Sequence, residues 1–274
     1  MMAYAYPGEG ALDYYPCRYG KSKLLFRGPG RDLDKDYVAV LGGTETYGKF
    51  VPVPYPALVE RDTGLRLVNL GCVNAGLDAY VQEPAVLDIV GRAAVTVVQI
   101  VGAQNASNRF YSVHPRRNDR FLWASPLLRQ TFPEVDFTEF HFTRHLLRTL
   151  HAVSAERFAA VAEELRAVWL ARMTLLLDHI PGKTVLLWIG DHAPPAAAND
   201  LDRDPMLIDA AMIGAVRAYA SDYLEVVPSP DARASGLTGM AYTPLEQPAA
   251  LGVPGPAVHA EVADKLAVVL QRML

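Results

Sequence analysis

Short apolar runs alternate with longer amphipathic segments along this chain. The runs are typical of buried strands and lie at 37–41, 65–70, 94–101, 184–189 and 223–227. Segments with apolar residues at helical spacing predict helices at about 53–63, 83–92, 154–178, 205–220 and 258–273. Strands that alternate with helices favour a mostly parallel sheet covered on both faces. We therefore expect an α/β fold, a three-layer α/β/α sandwich with about five parallel strands.

Two parts of the chain do not follow this alternation. Residues 1–36 are rich in Tyr, Gly, Pro and charge, and they predict an irregular N-terminal arm before a single domain at 37–274. Residues 106–153 combine arginines and aromatics with prolines that divide the segment into short pieces. This composition predicts a cap-like insertion over one edge of the sheet.

The predicted strands end in glycines and polar residues. Gly42 and Gly43 break the first strand just before Thr44, so the hydroxyl of Thr44 would be lifted out of the sheet edge. Ligands of open α/β sheets bind at the carboxyl ends of the strands. The polar residues that we expect at this edge are Thr44, Glu45, Asn74, Gln104, Asn105, Asp191, His192 and, at the start of the last helix, His259.

The order of these strand ends resembles a known family. The segment 42–48, Gly-Gly-Thr-Glu-Thr-Tyr-Gly, resembles the Gly-Asp-Ser-x-Thr-Tyr-Gly block of the SGNH/GDSL hydrolases. Residues 69–71 with Gly76 resemble the family's second, glycine block, and 102–105 resemble its Gly-x-Asn-Asp block. His259 stands where the family's catalytic histidine stands. The resemblance implies a flavodoxin-like SGNH fold and a divergent branch of the family.

The resemblance also implies an activity, that of an esterase or acyltransferase acting on a small ester. Thr44 would replace the family's serine as nucleophile, and His259 would be the base. The oxyanion donors would come from Gly76, Asn105 or Gln104.

One catalytic position of the family is not kept. Pro256 stands where the family has the aspartate three residues before the histidine. A backbone carbonyl, or a more distant carboxylate such as Asp191 or Glu45, would therefore have to orient His259.

Other polar residues near the predicted edge are candidates for substrate binding. Arginines in the inserted segment can clamp an anionic group, so the ester could carry a negative charge. The predicted substrate-binding residues are Glu45, Asn74, Arg109, His114, Arg116 and His192.

Three alternatives remain open from the sequence. Residues 43–49 match the Gly-x4-Gly-Lys frame of a phosphate-binding loop, although Phe50 follows where Ser or Thr would bind magnesium, so a nucleotide or sulfuryl-donor transferase is one alternative. A non-catalytic binding protein of the SGNH fold is the second, since the family's Ser and Asp are missing. His141 and His145 have a spacing that can hold zinc on a helix, but the general-base glutamate is missing.

Composition bounds the rest of the prediction. The chain has 274 residues, a net charge of −4 and two cysteines, so we expect neither a nucleic-acid partner nor a disulfide framework. Residues 1–6 lack the basic and apolar regions of a signal peptide, and no apolar run is long enough to span a bilayer. We predict a cytoplasmic protein that binds a small-molecule substrate without metal or cofactor and without a membrane partner. Its oligomeric state stays open.

Overall fold

A five-stranded parallel sheet forms the centre of the molecule in the computed structural model, which describes residues 11–274. The first ten residues, with the start of the predicted arm, lie outside the described residues. All neighbours in the sheet pair in parallel, in the order β2-β1-β3-β6-β7, and β4 and β5 form a separate antiparallel hairpin. The strands are β1 (Val38–Leu41), β2 (Leu67–Asn69), β3 (Val95–Gln99), β4 (Tyr111–His114), β5 (Arg117–Ala124), β6 (Lys183–Ile189) and β7 (Asp222–Val226).

Helices connect these strands and cover both faces of the sheet. They are α1 (Thr44–Tyr47), α2 (Tyr55–Thr63), α3 (Asp78–Val81), α4 (Pro84–Arg92), α5 (Pro126–Thr131), α6 (Thr143–Val153), α7 (Ala155–Asp178), α8 (Ala210–Arg217), α9 (Pro230–Ala234), α10 (Gln247–Ala250) and α11 (Pro256–Met273). The prediction of an α/β sandwich with about five parallel strands is confirmed.

The alternation of side chains along β1 divides the core between the two faces. Val38 and Val40 pack with residues of α2 and α11, whereas Ala39 and Leu41 pack with residues of α4 and α7. Successive side chains of a strand point to opposite faces, and here both faces are buried, which is why the strand is apolar throughout.

The strand order locates a crevice beside β1. Counted within the sheet alone, the order is 2-1-3-4-5, which is the flavodoxin-like arrangement. Its switch point lies between β1 and β3, because the connections that follow these two strands run to opposite faces of the sheet. The residues that follow these two strands include Thr44 and Asn105.

The predicted start of one helix is wrong. The sequence favoured a helix from 205 to 220, but α8 begins at Ala210. Asp209 caps it, because its Oδ1 accepts a hydrogen bond from the backbone N–H of Met212 at 2.9 Å. Residues 190–209 therefore form a long loop along the carboxyl edge of the sheet.

The segments outside the sandwich are tied to the loops around the switch point. In the described part of the arm, Cys17 and Phe26 form an isolated bridge, and buried Arg27 donates to the carbonyls of Gly48 and Pro52. In the inserted segment, the hairpin β4–β5 carries Asn118 against the loop at 74–79. Within residues 11–274, no helix has both the length and the apolar character needed to cross a bilayer.

Candidate functional site

Thr44 is the first residue of α1, directly after the end of β1. Gly42 allows this tight connection, because a Cβ there would lie 2.1 Å from Thr46 Oγ1 and 2.3 Å from Gln99 Oε1. The Thr44 hydroxyl donates to Asn74 Oδ1 at 3.1 Å and accepts from the Asn74 backbone N–H at 3.0 Å. Two hydrogen bonds to one residue fix the direction of the hydroxyl.

Asn74 lies at the tip of the loop that follows β2. Its φ is 55°, a left-handed conformation that Asn tolerates better than most residues. Its side-chain Nδ2 donates to Asp119 Oδ2 at 3.1 Å. A chain of hydrogen bonds thus runs from Thr44 through the Asn74 amide to the Asp119 carboxylate.

The loop after β3 packs directly on the loop after β2. A Cβ at Gly76 would lie 1.9 Å from the Asn105 carbonyl oxygen, so only glycine permits this approach. Asn105 Nδ2 donates to the Asn74 carbonyl at 3.0 Å, and Asn105 Oδ1 accepts from the Thr143 hydroxyl at 2.7 Å. These contacts hold the amide of Asn105 beside Asn74 and Thr44.

Glu45 supplies an acid–base group at the same place. Its Oε2 accepts a hydrogen bond from Gln99 Nε2 at 2.7 Å. Burial raises the pKa of the Glu45 carboxyl, and the nearby Asp204 raises it further, against the lowering effects of the Gln99 hydrogen bond and of Arg144.

These residues surround a small polar cleft of about 90 Å³. Arg144 of α6 and Asp204 of the 190–209 loop complete its wall, and Arg144 Nη2 donates to the two carboxylate oxygens of Asp204 at 2.6 and 2.5 Å. Polar residues that line the cleft are Thr44, Glu45, Asn74, Gln99, Gln104, Asn105, Arg144 and Asp204.

A larger cleft of about 440 Å³ adjoins the small one. The two share Glu45, Ile189 and Asp204 as lining residues. Asp191 and apolar residues of α9, of the segment 250–255 and of α11 line the larger cleft. A ligand whose reacting end lies at Thr44 therefore has room for its remainder beyond Glu45.

His259 has partners that differ from those predicted. It is 2% exposed on α11, and its Nδ1 accepts from the backbone N–H of Tyr55 at 3.1 Å. Burial lowers the pKa of His259 to about 3, with a further lowering effect of Arg27. Among residues 11–274 no hydrogen bond joins His259 to Thr44 or to a carboxylate. This arrangement argues against the predicted role of His259 as a base.

The predicted oxyanion donors differ in how their hydrogen bonds are used. The Gly76 N–H donates to Asn118 Oδ1 at 2.9 Å, so it is already satisfied and is not free for a substrate. The Asn105 amide carries a second N–H besides the one that binds Asn74. Gln104 lines the cleft, and its Oε1 has no hydrogen-bond partner within residues 11–274.

Four predicted substrate-binding residues lie outside both clefts: Arg109, His114, Arg116 and His192. Arg109 is 72% exposed and forms an ion pair with Glu164 at 2.6 Å. His114 Nδ1 accepts from the backbone N–H groups of Arg116 and Arg117 in the turn of the hairpin. The arginines that suggested an anionic substrate are therefore not part of the cleft wall.

Asp191 and His192 lie side by side at the end of β6, with His192 Nε2 3.6 Å from Asp191 Oδ1, but they differ in their relation to the clefts. Asp191 lines the larger cleft and pairs with Arg203 at 3.8 Å, and it does not orient His259. The ring of His192 turns toward Trp188, and it lines neither cleft.

Comparison with known proteins places the whole chain in one family. A family model described as a domain of unknown function, DUF6473, matches residues 2–274. The chain belongs to the DUF6473 family. No curated protein matches its sequence.

The solved structures that match this chain include three at low sequence identity. A protein from Lactobacillus plantarum is 16% identical over 87% of this chain and 98% of its own, with a TM-score of 0.42. A carbohydrate esterase family 2 enzyme from Corynascus thermopiles is 12% identical over 90% and 68%, with a TM-score of 0.39. A lipase from a goat rumen metagenome is 11% identical over 85% and 97%, with a TM-score of 0.44. These likenesses supply no residue roles.

The phosphate-loop alternative does not match the geometry of the DUF6473 chain. Residues 44–47 form a helical turn that Gly48 ends in a left-handed conformation. The Nζ atom of Lys49 lies 4.6 Å from the centroid of the Phe50 ring, and Lys49 lines neither cleft. The histidine pair also fails to form a helical site, because His141 precedes α6.

Sequence reasoning missed several residues of the DUF6473 site. Arg144 and Asp204 are 60 positions apart and meet only in the folded chain. Asn118 and Asp119 belong to the β4–β5 hairpin, and no sequence pattern predicted that this hairpin packs on residues 74–79. One feature of the sequence could have indicated these contacts. Arg144 and Arg148 are four residues apart on α6, and they pair with Asp204 and Asp202.

Proposed function

We propose that this protein is a divergent SGNH-like esterase or acyltransferase that acts on a small ester. In this proposal the Thr44 hydroxyl attacks the ester carbonyl, and the Glu45 carboxylate accepts the proton. The nucleophile follows the family resemblance, whereas the base does not. The observation that carries the proposal is the shared cleft, in which an oriented hydroxyl, a carboxyl of raised pKa and two asparagine amides meet at the switch point of the sheet.

The choice of Glu45 over His259 follows from hydrogen bonding. A backbone N–H can only donate, so His259 Nδ1 must accept, and the neutral ring keeps its proton on Nε2. A base has to present a lone pair, and the lone pair of Nδ1 is already used. Glu45 presents carboxylate oxygens to the cleft, and its raised pKa makes it a stronger base than an ordinary glutamate.

The reaction that follows is an acyl transfer in two steps. A bond forms from Thr44 Oγ1 to the carbonyl carbon as the hydroxyl proton moves to Glu45. The bond to the alcohol oxygen then breaks, and Glu45 returns the proton to the leaving alcohol. Water, or a second alcohol, releases the acyl group from Thr44 by the reverse sequence. The second N–H of the Asn105 amide, the one that does not bind Asn74, would stabilise the oxyanion by roughly 3 kcal/mol, as other oxyanion donors do.

The test is acylation of Thr44. Short-chain aryl esters are incubated with the wild-type protein, and intact-mass spectrometry followed by peptide mapping locates the acyl group. We expect an adduct on Thr44, no adduct and no turnover for Thr44→Val, and retained turnover for Thr44→Ser and His259→Asn. An adduct elsewhere, or equal turnover of Thr44→Val and wild type, would exclude the proposal.

A second candidate is a non-catalytic binding protein of the same fold. One observation favours it: both hydrogen bonds of the Thr44 hydroxyl involve Asn74, and within residues 11–274 no carboxylate or imidazole hydrogen-bonds to this hydroxyl. Ligand binding by wild type and Thr44→Val with equal affinity, and no acyl adduct on any ester tried, would select this second function.

A further inference from the structure

One hydrogen-bond acceptor in the wall of the small cleft has no donor among residues 11–274. Gln104 is 8% exposed and lines the cleft, and its Oε1 is buried with no hydrogen-bond partner in the described part of the chain. Buried polar atoms are almost always paired, and an unpaired one costs about 1–3 kcal/mol. A ligand that donates a hydrogen bond here would remove this cost.

The charges around the cleft favour the same kind of ligand. Glu45 and Asp204 both bring carboxylates to its wall, and the proximity of Asp204 disfavours ionisation of Glu45. Arg144 is the cation that lines the cleft, but its Nη2 binds Asp204 and its Nη1 donates to the Leu201 carbonyl at 3.0 Å. The Nη1 and Nη2 groups of the guanidinium are therefore engaged by the protein itself, whereas Gln104 Oε1 has no donor among the described residues.

We propose that the cleft recognises a substrate group that donates hydrogen bonds, an ammonium or a hydroxyl, through Gln104 Oε1 and the carboxylates of Glu45 and Asp204. The placement of this group beside an ester rests on the proposed function. Because about 90 Å³ holds only a few heavy atoms, the donating group lies within a few bonds of the reacting carbonyl. The remainder of the substrate occupies the adjoining cleft of about 440 Å³.

This substrate class differs from the one suggested by the sequence. An anionic group entering the cleft would meet two carboxylates and an unpaired carbonyl oxygen. Arg109 and Arg116, which suggested an anion, lie outside the cleft wall.

The test measures binding without turnover. Four size-matched probes, propylammonium, n-propanol, propionate and tetramethylammonium, are titrated into the full-length protein, and dissociation constants are measured by NMR. We expect propylammonium or n-propanol to bind at least about fivefold more tightly than propionate and tetramethylammonium, which lack a suitable donor. Gln104→Leu should remove this advantage, and the exposed control Gln130→Leu should keep it.

Glu45→Gln distinguishes the two donors. The substitution keeps an acceptor for Gln99 but removes the negative charge. It should therefore weaken the binding of propylammonium and leave the binding of n-propanol unchanged. A preference that survives Glu45→Gln identifies a hydroxyl, and a lost preference identifies an ammonium. Propionate binding as tightly as the donors in wild type would overturn the inference, even if Gln104→Leu failed to fold.

Failure of this inference and failure of the proposed function give different results. If the donors bind in the cleft but no ester acylates Thr44, the proposed function is wrong and the recognition stands. If esters acylate Thr44 equally well with and without a hydrogen-bond donor near the ester group, the recognition is wrong and the proposed function stands.

Discussion

His259 on α11 and Tyr55 on α2 form one unit at the edge of the sheet. Nδ1 of His259 accepts from the Tyr55 backbone N–H at 3.1 Å, and the two rings stack with their centroids 5.9 Å apart. The N–H of Tyr55 belongs to the first turn of α2, which has no intrahelical acceptor for it. The imidazole therefore satisfies a helix terminus, and this role requires it to stay neutral.

The neutral His259 makes stability depend on pH. Its pKa is about 3 when folded and about 6.5 when unfolded, so between these values the unfolded state binds more protons. Stability from this group is complete above pH 6.5 and is lost as the pH falls toward 3. In His259→Asn, which keeps an acceptor near Nδ1, the loss of unfolding free energy from pH 7 to pH 5 should be about 2 kcal/mol smaller than in wild type.

Urea unfolding at pH 7, 6 and 5 measures this difference. His141→Asn is the control, because His141 is exposed and precedes α6. Equal pH slopes for wild type and His259→Asn would show that the ring is not held neutral.

Glu45 should show the opposite dependence. Its pKa is raised in the folded state, so between the unfolded and folded values the folded state binds more protons, and stability falls as the pH rises. Glu45→Gln should therefore raise the melting temperature at pH 8 and raise it less at pH 4. The same change should lower esterase turnover by roughly 10²–10⁴-fold, because the proton acceptor is lost.

Thermal melts at both pH values, run beside exposed Glu139→Gln, measure the stability effect. A Glu45→Gln variant that is less stable than wild type at pH 8 contradicts a raised pKa.

Gly76 should tolerate no side chain. In Gly76→Ala the new Cβ would lie 1.9 Å from the Asn105 carbonyl oxygen, so the two loops must separate, at about 1–3 kcal/mol or more. Gly214→Ala is the matched control inside α8, where a Cβ meets nothing within 4 Å, and it should stabilise by about 0.5–1 kcal/mol. Chemical denaturation of both variants tests the pair, and the expectation fails if the two changes have the same sign.

Asn118 should be as important to the site as the residues that line it. It is 0% exposed, and its Oδ1 accepts the backbone N–H groups of Gly76 and Ala79 at 2.9 and 3.1 Å. Asn118→Ala leaves both N–H groups buried without a partner, at a cost of at least about 2 kcal/mol. The exposed Asn199→Ala should stay within about 0.5 kcal/mol of wild type. Denaturation midpoints decide between these values, and a neutral Asn118→Ala would mean that the loop has another support.

The sequence by itself determined the sandwich and the edge at which ligand-facing residues gather. Strands β1 and β3 are buried on both faces, so β1 is apolar throughout and β3 is apolar except at Thr96 and Gln99. Burial of this kind can be read from the sequence. Close contact between loops requires glycine, as at Gly42 and Gly76, and this also leaves a visible mark. These two patterns were enough to predict that Thr44, Asn74 and Asn105 lie close together, and all three line the small cleft.

Only the tertiary structure decided which partner each polar group binds. His259 and Tyr55 are 204 positions apart, and Arg144 and Asp204 are 60 apart. Periodicity reports which face of an element is buried, but a hydrogen bond depends on the positions of two elements and on the direction of both groups. A histidine at the start of α11 can therefore resemble a catalytic base in sequence, while packing against α2 uses its lone pair and leaves proton transfer to Glu45 in our proposal.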